Sequence, residues 1–135
     1  NPMVIQQFDN FLDPGTTSDG GEVVITTGSV DTDVAATYTL TYRATDAAGN
    51  IGVATRSVEV QPDLTPPTIT LMGANPVNHD IDTAYTDAGV IVAGGGLTNT
   101  DNPVDTAVAA TYTVTYTAED AAGNQATATR TVNVA

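Results

Sequence analysis

The chain contains the same sequence twice. Residues 1–61 recur as residues 75–135 without insertion or deletion, so that Asn50 corresponds to Asn124, and about half of the aligned positions are identical. The match is strongest where AATYTLTYRATDAAGN, residues 35–50, returns as AATYTVTYTAEDAAGN, residues 109–124. Solenoid repeats are roughly 20–50 residues long. This longer repeat therefore predicts a small complete domain used twice in tandem.

The second copy is preceded by a segment that has no counterpart before the first. Residues 65–74, TPPTITLMGA, have the pattern of an opening strand, whereas copy one begins at Asn1. We therefore expect the first domain to lack its opening strand. One explanation is a boundary cut within a longer protein. The other is that a neighbouring chain donates the strand by β-augmentation.

The chain is strongly acidic, with sixteen Asp and Glu against three Arg and no Lys, and a formal charge of −13. This charge opposes binding to phosphate backbones and to anionic lipid, so we expect no nucleic-acid partner. It favours divalent cations as counterions. No apolar run approaches the roughly 20 residues that cross a bilayer, so no membrane insertion is expected.

Alternating side chains predict strands in both copies. In the segment ATYTLTYRA, Tyr38, Leu40 and Tyr42 point to one side and the threonines to the other. The turn DAAGN follows, in which Gly49 can adopt a left-handed conformation, and a second alternating strand returns with Ala54 on the core side. Shorter strands are predicted at residues 3–8, 22–27, 68–72, 77–81, 88–93 and 97–100. Many short strands without helical periodicity predict an all-β fold with one β-sandwich in each copy.

Two patterns resemble a known family. The run AATYTL resembles the immunoglobulin-type pattern A-x-Y-x-C before strand F, with Leu40 in the place of the Cys. The DxTPPxI start, the YxDxG middle and the YTxTYxAxDAAGNxAxxxRxVxV ending resemble bacterial Ig-like and hyalin-repeat-like modules of large surface proteins. The resemblance covers all of copy two and most of copy one. It implies two tandem immunoglobulin-like antiparallel β-sandwiches, the first lacking its opening strand, outside the cell or at its surface.

We place an N-terminally truncated Ig-like domain at residues 1–61, a linker at residues 62–67 and a second Ig-like domain at residues 68–135. The linker sequence PDLTPP favours an extended, semi-rigid connection because proline restricts the backbone.

The chain offers few side chains for catalysis. It has one His and no Cys, whereas nucleophilic catalysis needs a nucleophile, a base and usually an orienting group. His79 is replaced by Ile5 in copy one, so we interpret it as a surface or partly packed residue. Paired carboxylates can hydrolyse glycosides, but such sites usually stack the sugar on aromatic rings and Trp is absent. We expect no enzymatic activity.

Two arginines recur in both copies. The alternation of the last strand places Arg56 and Arg130 on the same face as the core valines, so they point inward or lie at the rim of the core. A buried guanidinium needs a carboxylate partner. Asp13 and Asp87 are the predicted partners, and the predicted role of both pairs is structural.

Asp46 and Asp120 open the two hairpin turns. The simpler interpretation is that their carboxylates accept backbone N–H bonds in Asx-turns. The alternative is calcium, which takes about six to eight oxygen ligands. In an immunoglobulin-type topology, Asp120 would approach Asp63 at the linker, with Asp31 and Asp33 on the other side. We therefore hypothesise a calcium clamp formed by Asp31, Asp33, Asp63 and Asp120. No other cofactor is expected.

The combined interpretation is a non-catalytic extracellular spacer or stalk of a large adhesin-like surface or secreted protein. Such a spacer holds a functional domain away from a surface, and its partners are the neighbouring repeats. Two alternatives stay open. An accessory carbohydrate- or ligand-binding module of a secreted enzyme needs an exposed aromatic platform, for which only Tyr85 is free. A self-assembling filament or coat subunit would accept a strand from another chain.

Overall fold

A computed structural model describes residues 2–135. The chain divides into two compact units, unit 1 (Asn1–Asp63) and unit 2 (Leu64–Ala135). The regular elements in the described part are all strands, which in chain order are β1 (Met3–Gln6), β2 (Ile25–Thr27), β3 (Ala36–Thr45), β4 (Ile51–Gln61), β5 (Thr68–Leu71), β6 (Val77–His79), β7 (Val90–Ala93), β8 (Gly96–Asp101), β9 (Ala110–Glu119) and β10 (Gln125–Val134). Over residues 2–135, nothing folds into a helix with the length and apolar character needed to cross a membrane.

Each unit is built around the hairpin that the alternation predicts. β3 pairs antiparallel with β4, and β9 pairs antiparallel with β10. Gly49 and Gly123 have φ angles of 86° and 84° in the connecting turns, where a side chain would strain the backbone. The predicted inward positions are confirmed, since Leu40 and Tyr42 of β3 are buried and so are their counterparts in β9.

The strand order makes each main sheet mixed. Unit 1 has the order β1-β4-β3-β2 and unit 2 the order β6-β10-β9-β8. Within these sheets β1 runs parallel to β4, and β6 runs parallel to β10. The all-β immunoglobulin-like expectation is confirmed, but the pairing is not antiparallel throughout. Local alternation identifies a strand without fixing its direction relative to a partner about fifty residues away.

Unit 2 also contains a second sheet, in which β5 pairs antiparallel with β7. Ile69 and Leu71 of β5 and Val90 of β7 pack against a core of buried residues from the main sheet. That core consists of Val114, Tyr116, Val132 and Val134. Covering one sheet with the other removes apolar surface from water, which is the main stabilising contribution in a small sandwich.

Unit 1 has the same main sheet, but the segments that face this sheet differ from those of unit 2. Residues 16–19, which correspond to β7, form no strand, and no counterpart of β5 is present in the described residues of this unit. Ala54 is exposed although the alternation predicted it on the core side. The alternation gave the correct face, since Ala54 is paired with the buried Tyr42, but burial depends on what lies over that face.

Two tyrosines anchor the loops before β3 and β9. Tyr38 donates its hydroxyl to the carbonyl of Val34 at 2.9 Å, and Tyr112 donates to that of Val108 at 3.1 Å. Both rings are half-buried. A tyrosine near the start of this strand that bonds a few residues upstream is a hallmark of immunoglobulin-like sandwiches.

Equivalent residues after β1 and β6 share an unusual backbone conformation. Phe8 and Asp82 have φ angles of 68° and 60°, and their N–H groups donate to the carbonyls of Thr32 and Thr106, both at 2.8 Å. The fold therefore requires a left-handed residue here. Asp tolerates this conformation, whereas a bulky Phe is strained in it.

Candidate functional site

A buried arginine organises the interior of unit 2. The side chain of Arg130 is 1% exposed, and its Nη1 lies 2.8 Å from Oδ1 of Asp87. Its Nη2 donates to the carbonyl of Gly89 at 3.0 Å and to the carbonyl of Met72, at the end of β5. The planar guanidinium thus ties β10 to one end of the second sheet, where the residue after β5 is hydrogen-bonded to the residue before β7.

The carboxylate of Asp87 is the centre of this network. It accepts hydroxyl hydrogen bonds from Tyr116 and, at 2.9 Å, from Tyr85, and a backbone bond from Gly89 at 3.0 Å. Burial opposes ionisation of Asp87, but the bonds from the two tyrosines and the other partners outweigh it and lower its pKa. Burial and the bond to the charged carboxylate raise the pKa of Tyr116.

Unit 1 contains the same constellation in a looser form. Nε of Arg56 lies 3.6 Å from Oδ1 of Asp13 and donates to the Tyr42 hydroxyl at 3.0 Å. Tyr42 in turn donates to Asp13 at 2.7 Å, and this bond is the main cause that lowers the pKa of the carboxyl. The side chains of Arg56 and Asp13 are 30% and 23% exposed. Both predicted arginine–aspartate pairs are therefore confirmed.

The hairpin aspartates fold back onto their own turns. Oδ1 of Asp46 accepts the N–H groups of Ala48 and Asn50 at 2.9 and 2.8 Å, and Oδ2 accepts the Asn50 side-chain amide at 2.8 Å. In unit 2, Asp120 accepts the backbone and side-chain amides of Asn124 at 2.8 and 2.9 Å. The asparagine side-chain bonds are the main cause that lowers the pKa of each aspartate. The Asx-turn interpretation is confirmed.

Three of the four residues in the calcium hypothesis lie in unit 1. Oδ1 of Asp31 accepts the N–H of Asp33 at 3.0 Å. The side chain of Gln7 connects the loop that contains Asp33 with the segment that contains Asp63. It donates to the Asp33 carbonyl at 2.6 Å and accepts the N–H of Asp63 at 3.4 Å. The sequence did not single out Gln7, because its counterpart in copy two is Ile81 and the repeat therefore gives no signal there.

The fourth residue, Asp120, lies in unit 2, where Asn124 engages both of its carboxylate oxygens. Within residues 2–135, no group of three or more His, Asp or Glu side chains is arranged to hold a metal ion. A cation at Asp120 would share the carboxylate with the bonds from Asn124. The calcium clamp stays a prediction, and its residues remain Asp31, Asp33, Asp63 and Asp120.

His79 and Tyr85 pack against each other in unit 2. Their rings meet edge to face with centroids 5.4 Å apart, and Nε2 of His79 lies 3.1 Å from the carbonyl of Thr83. Both side chains are half-buried, which confirms the partly packed interpretation of His79. Tyr85 also donates to Asp87, so the expectation that this ring is free for a ligand was wrong.

Fold and contacts together define a class of protein. The all-strand units, the packing of the second sheet over the main sheet in unit 2 and the tyrosine bonds before β3 and β9 are features of an immunoglobulin-like sandwich module. The model of the family described as "Bacterial surface protein, Ig-like domain" matches residues 1–60 and again residues 69–134. The chain belongs to this family and contains two consecutive copies of its domain, as the sequence resemblance implied. A search of curated proteins found no match.

Proposed function

We propose that the chain is a non-catalytic, load-bearing spacer in an extracellular protein that holds another domain away from the bacterial surface. Family membership makes it a surface-protein module. The spacer role rests chiefly on one structural observation. In each main sheet, the strand that comes first in the chain is paired in parallel with the strand that comes last, β1 with β4 and β6 with β10.

Parallel pairing resists extension when the two strands are pulled from opposite ends. In unit 2, β6 is paired with β10 from Val77↔Val132 to His79↔Val134. A force applied to the start of β6 and the end of β10 slides the two strands past each other and loads all the bonds of the ladder together. An antiparallel hairpin pulled at its open end breaks its bonds one after another. The same argument holds for β1 and β4 of unit 1.

The recurring polar side chains support a structural role over a binding role. Arg130 and Asp87, like Arg56 and Asp13, bond within their own unit, and Asp46 bonds within its own turn. The carbohydrate alternative would need a platform of exposed aromatic rings. Each Tyr of the chain is buried or half-buried, and Phe8, at 39%, is the one exposed Phe or Tyr within residues 2–135.

Pulling experiments in two directions test the proposal. The chain has no Cys, so pairs of introduced cysteines define the attachment points for single-molecule force spectroscopy. The variant Ala74→Cys/Ala135→Cys loads β6 against β10 in shear. The matched variant Ala109→Cys/Ala135→Cys opens the β9–β10 hairpin from its free end, because Ala110 pairs with Val134. All three positions are exposed.

We expect the shear geometry to give the higher unfolding force. Equal forces in the two geometries would remove the mechanical basis of the spacer proposal. A carbohydrate that binds the wild-type chain saturably on a glycan array would instead favour the accessory-module alternative.

A further inference from the structure

The outer face of the main sheet, opposite the buried core residues, differs between the two units. In unit 1, Arg43 of β3 is paired with Ile25 of β2 and with Val53 of β4. The Arg43 face is defined as Arg43 and four aliphatic residues around it that are between 53% and 83% exposed, Val23, Ile25, Ile51 and Val53. The counterparts of these four in unit 2 are Leu97, Asn99, Gln125 and Thr127. Because three of the counterparts are polar, the exposed apolar surface belongs to unit 1 and not to the shared fold.

A groove follows β2 on the Arg43 face. It has a volume of about 480 Å³ and is lined by Glu22, Val23, Ile25, Thr27, Arg43 and Thr45. Because β2 ends the order of its sheet, no strand within residues 2–135 pairs with its outer edge. The counterpart β8 has a register shift between Leu97 and Asn99, an irregularity that protects edge strands from pairing with other chains. The pairing of β2 with β3 is regular, so β2 keeps an edge that an extended segment can join.

Arg43 is the cation that this face offers to a partner. Arg56 and Arg130 are each paired with an aspartate of their own unit, whereas Arg43 is exposed and forms no ion pair with any residue from 2 to 135. The acidic residue of the groove, Glu22, accepts the hydroxyl of Ser18. Salt screens exposed charges beyond about 8 Å, so a partner at this face meets Arg43 more than the net charge of −13. The face is therefore complementary to a carboxylate with aliphatic neighbours.

We propose that the Arg43 face binds an extended segment of another protein, in which one acidic residue lies between aliphatic residues at alternate positions. The segment joins the outer edge of β2 as an added strand. Its backbone is then two strand spacings from that of β3, about 10 Å, which the side chains of Arg43 and a facing carboxylate span together. The aliphatic side chains of the segment cover Val23 and Ile25 in the groove.

The occupant is a different protein because the charges of the chain oppose a second copy. Two Arg43 faces in contact would bring like charges together, and the net charge of −13 disfavours self-association. Binding at β2 is also independent of the load-bearing role proposed above, since β1 and β2 are at opposite edges of the sheet.

Selection from a phage-displayed library of random peptides tests this inference. The full chain is the bait, and the variant Ile25→Asn/Arg43→Thr/Val53→Thr removes peptides that bind elsewhere. This variant carries the residues that unit 2 has at the same positions, so the sheet should still form, which urea denaturation checks. We expect the enriched peptides to share an acidic residue with aliphatic residues at alternate positions. A synthetic peptide of the enriched sequence should bind Arg43→Thr at least about tenfold more weakly than the unmodified chain, because a charged hydrogen bond is lost.

Two further measurements keep the test decisive. A peptide with Lys in place of the acidic residue should fail to bind the unmodified chain and should bind Arg43→Glu, because the charges of the pair are exchanged. The original peptide should slow hydrogen exchange at residues 25–27, and unchanged exchange there would contradict strand addition. The proposal is wrong if no peptide is enriched or if the enriched peptides lack an acidic residue. It is also wrong if sedimentation shows a dimer of the unmodified chain that the triple variant does not form, since a second copy would then be the occupant.

Discussion

Replacing the buried arginine of unit 2 should destabilise that unit far more than the equivalent change in unit 1. In Arg130→Met, the long unbranched side chain keeps much of the volume but removes the charge and all donors. Asp87 would then stay ionised in a largely buried position without its cation. The carbonyl of Met72 would lose its bond from Arg130, and that of Gly89 would keep only the bond from the Met72 N–H. Breaking a buried ion pair from one side costs about 3–5 kcal/mol.

The matched control is Arg56→Met, in which the same chemical change is made at a solvated position. Arg56 and Asp13 are 30% and 23% exposed, so water can solvate the remaining carboxylate, and we expect only a small fraction of the loss in unit 2. The two variants compare a buried, close ion pair with a partly exposed, longer one of the same residue types at the same strand position, 2.8 Å against 3.6 Å.

Native-state hydrogen exchange at increasing urea concentrations measures both units in one sample, with β10 reporting on unit 2 and β4 on unit 1. A loss below about 1 kcal/mol in Arg130→Met, the range of exposed pairs, would refute the claim that the pair is effectively buried. Equal losses of unfolding free energy in the two variants would show that the solvent exposure of the ion pair does not determine the cost of breaking it. In Arg130→Met/Asp87→Leu, where no charge is left buried, we expect a smaller loss than the sum of the two single changes.

Three other results are expected. Phe8→Asn should raise the stability of unit 1 by about 1 kcal/mol in urea denaturation, because Asn tolerates the left-handed backbone, and no gain would mean that Phe8 is not strained. The folded-state pKa of Asp87 is lowered and that of Tyr116 is raised. Circular dichroism should therefore show unit 2 losing stability as the pH falls below about 4 and again as it rises above about 10, and a flat profile would contradict both shifts. If the four aspartates of the clamp bind calcium, millimolar calcium should raise the melting temperature and chelation should reverse it, whereas a calorimetric titration without heat would reject the clamp.

The local sequence was enough to predict the elements whose partners are close in the chain. The alternation around Leu40 and the glycine of the DAAGN turn predicted both terminal hairpins, because strand pleat and turn conformation are set by neighbouring residues. The aspartate that opens each turn could be interpreted for the same reason. The repeat added long-range information: a feature present in both copies, such as the arginine and its aspartate, had to serve the fold common to both.

Burial and strand direction were decided only by the tertiary structure. The sequence placed Arg56 and Arg130 on the same face of equivalent strands, yet one is partly exposed and the other buried, because β5 covers only the second. The parallel pairing of β1 with β4, the contact of Tyr116 with Asp87 and the bridging role of Gln7 likewise join residues far apart in the chain. Sequence alone determined which segments are strands and which way their side chains alternate, since these depend on backbone geometry and nearest neighbours. Only the folded chain determined what covers each face, because that depends on long-range packing, and packing sets the electrostatic environment of every charge in the core.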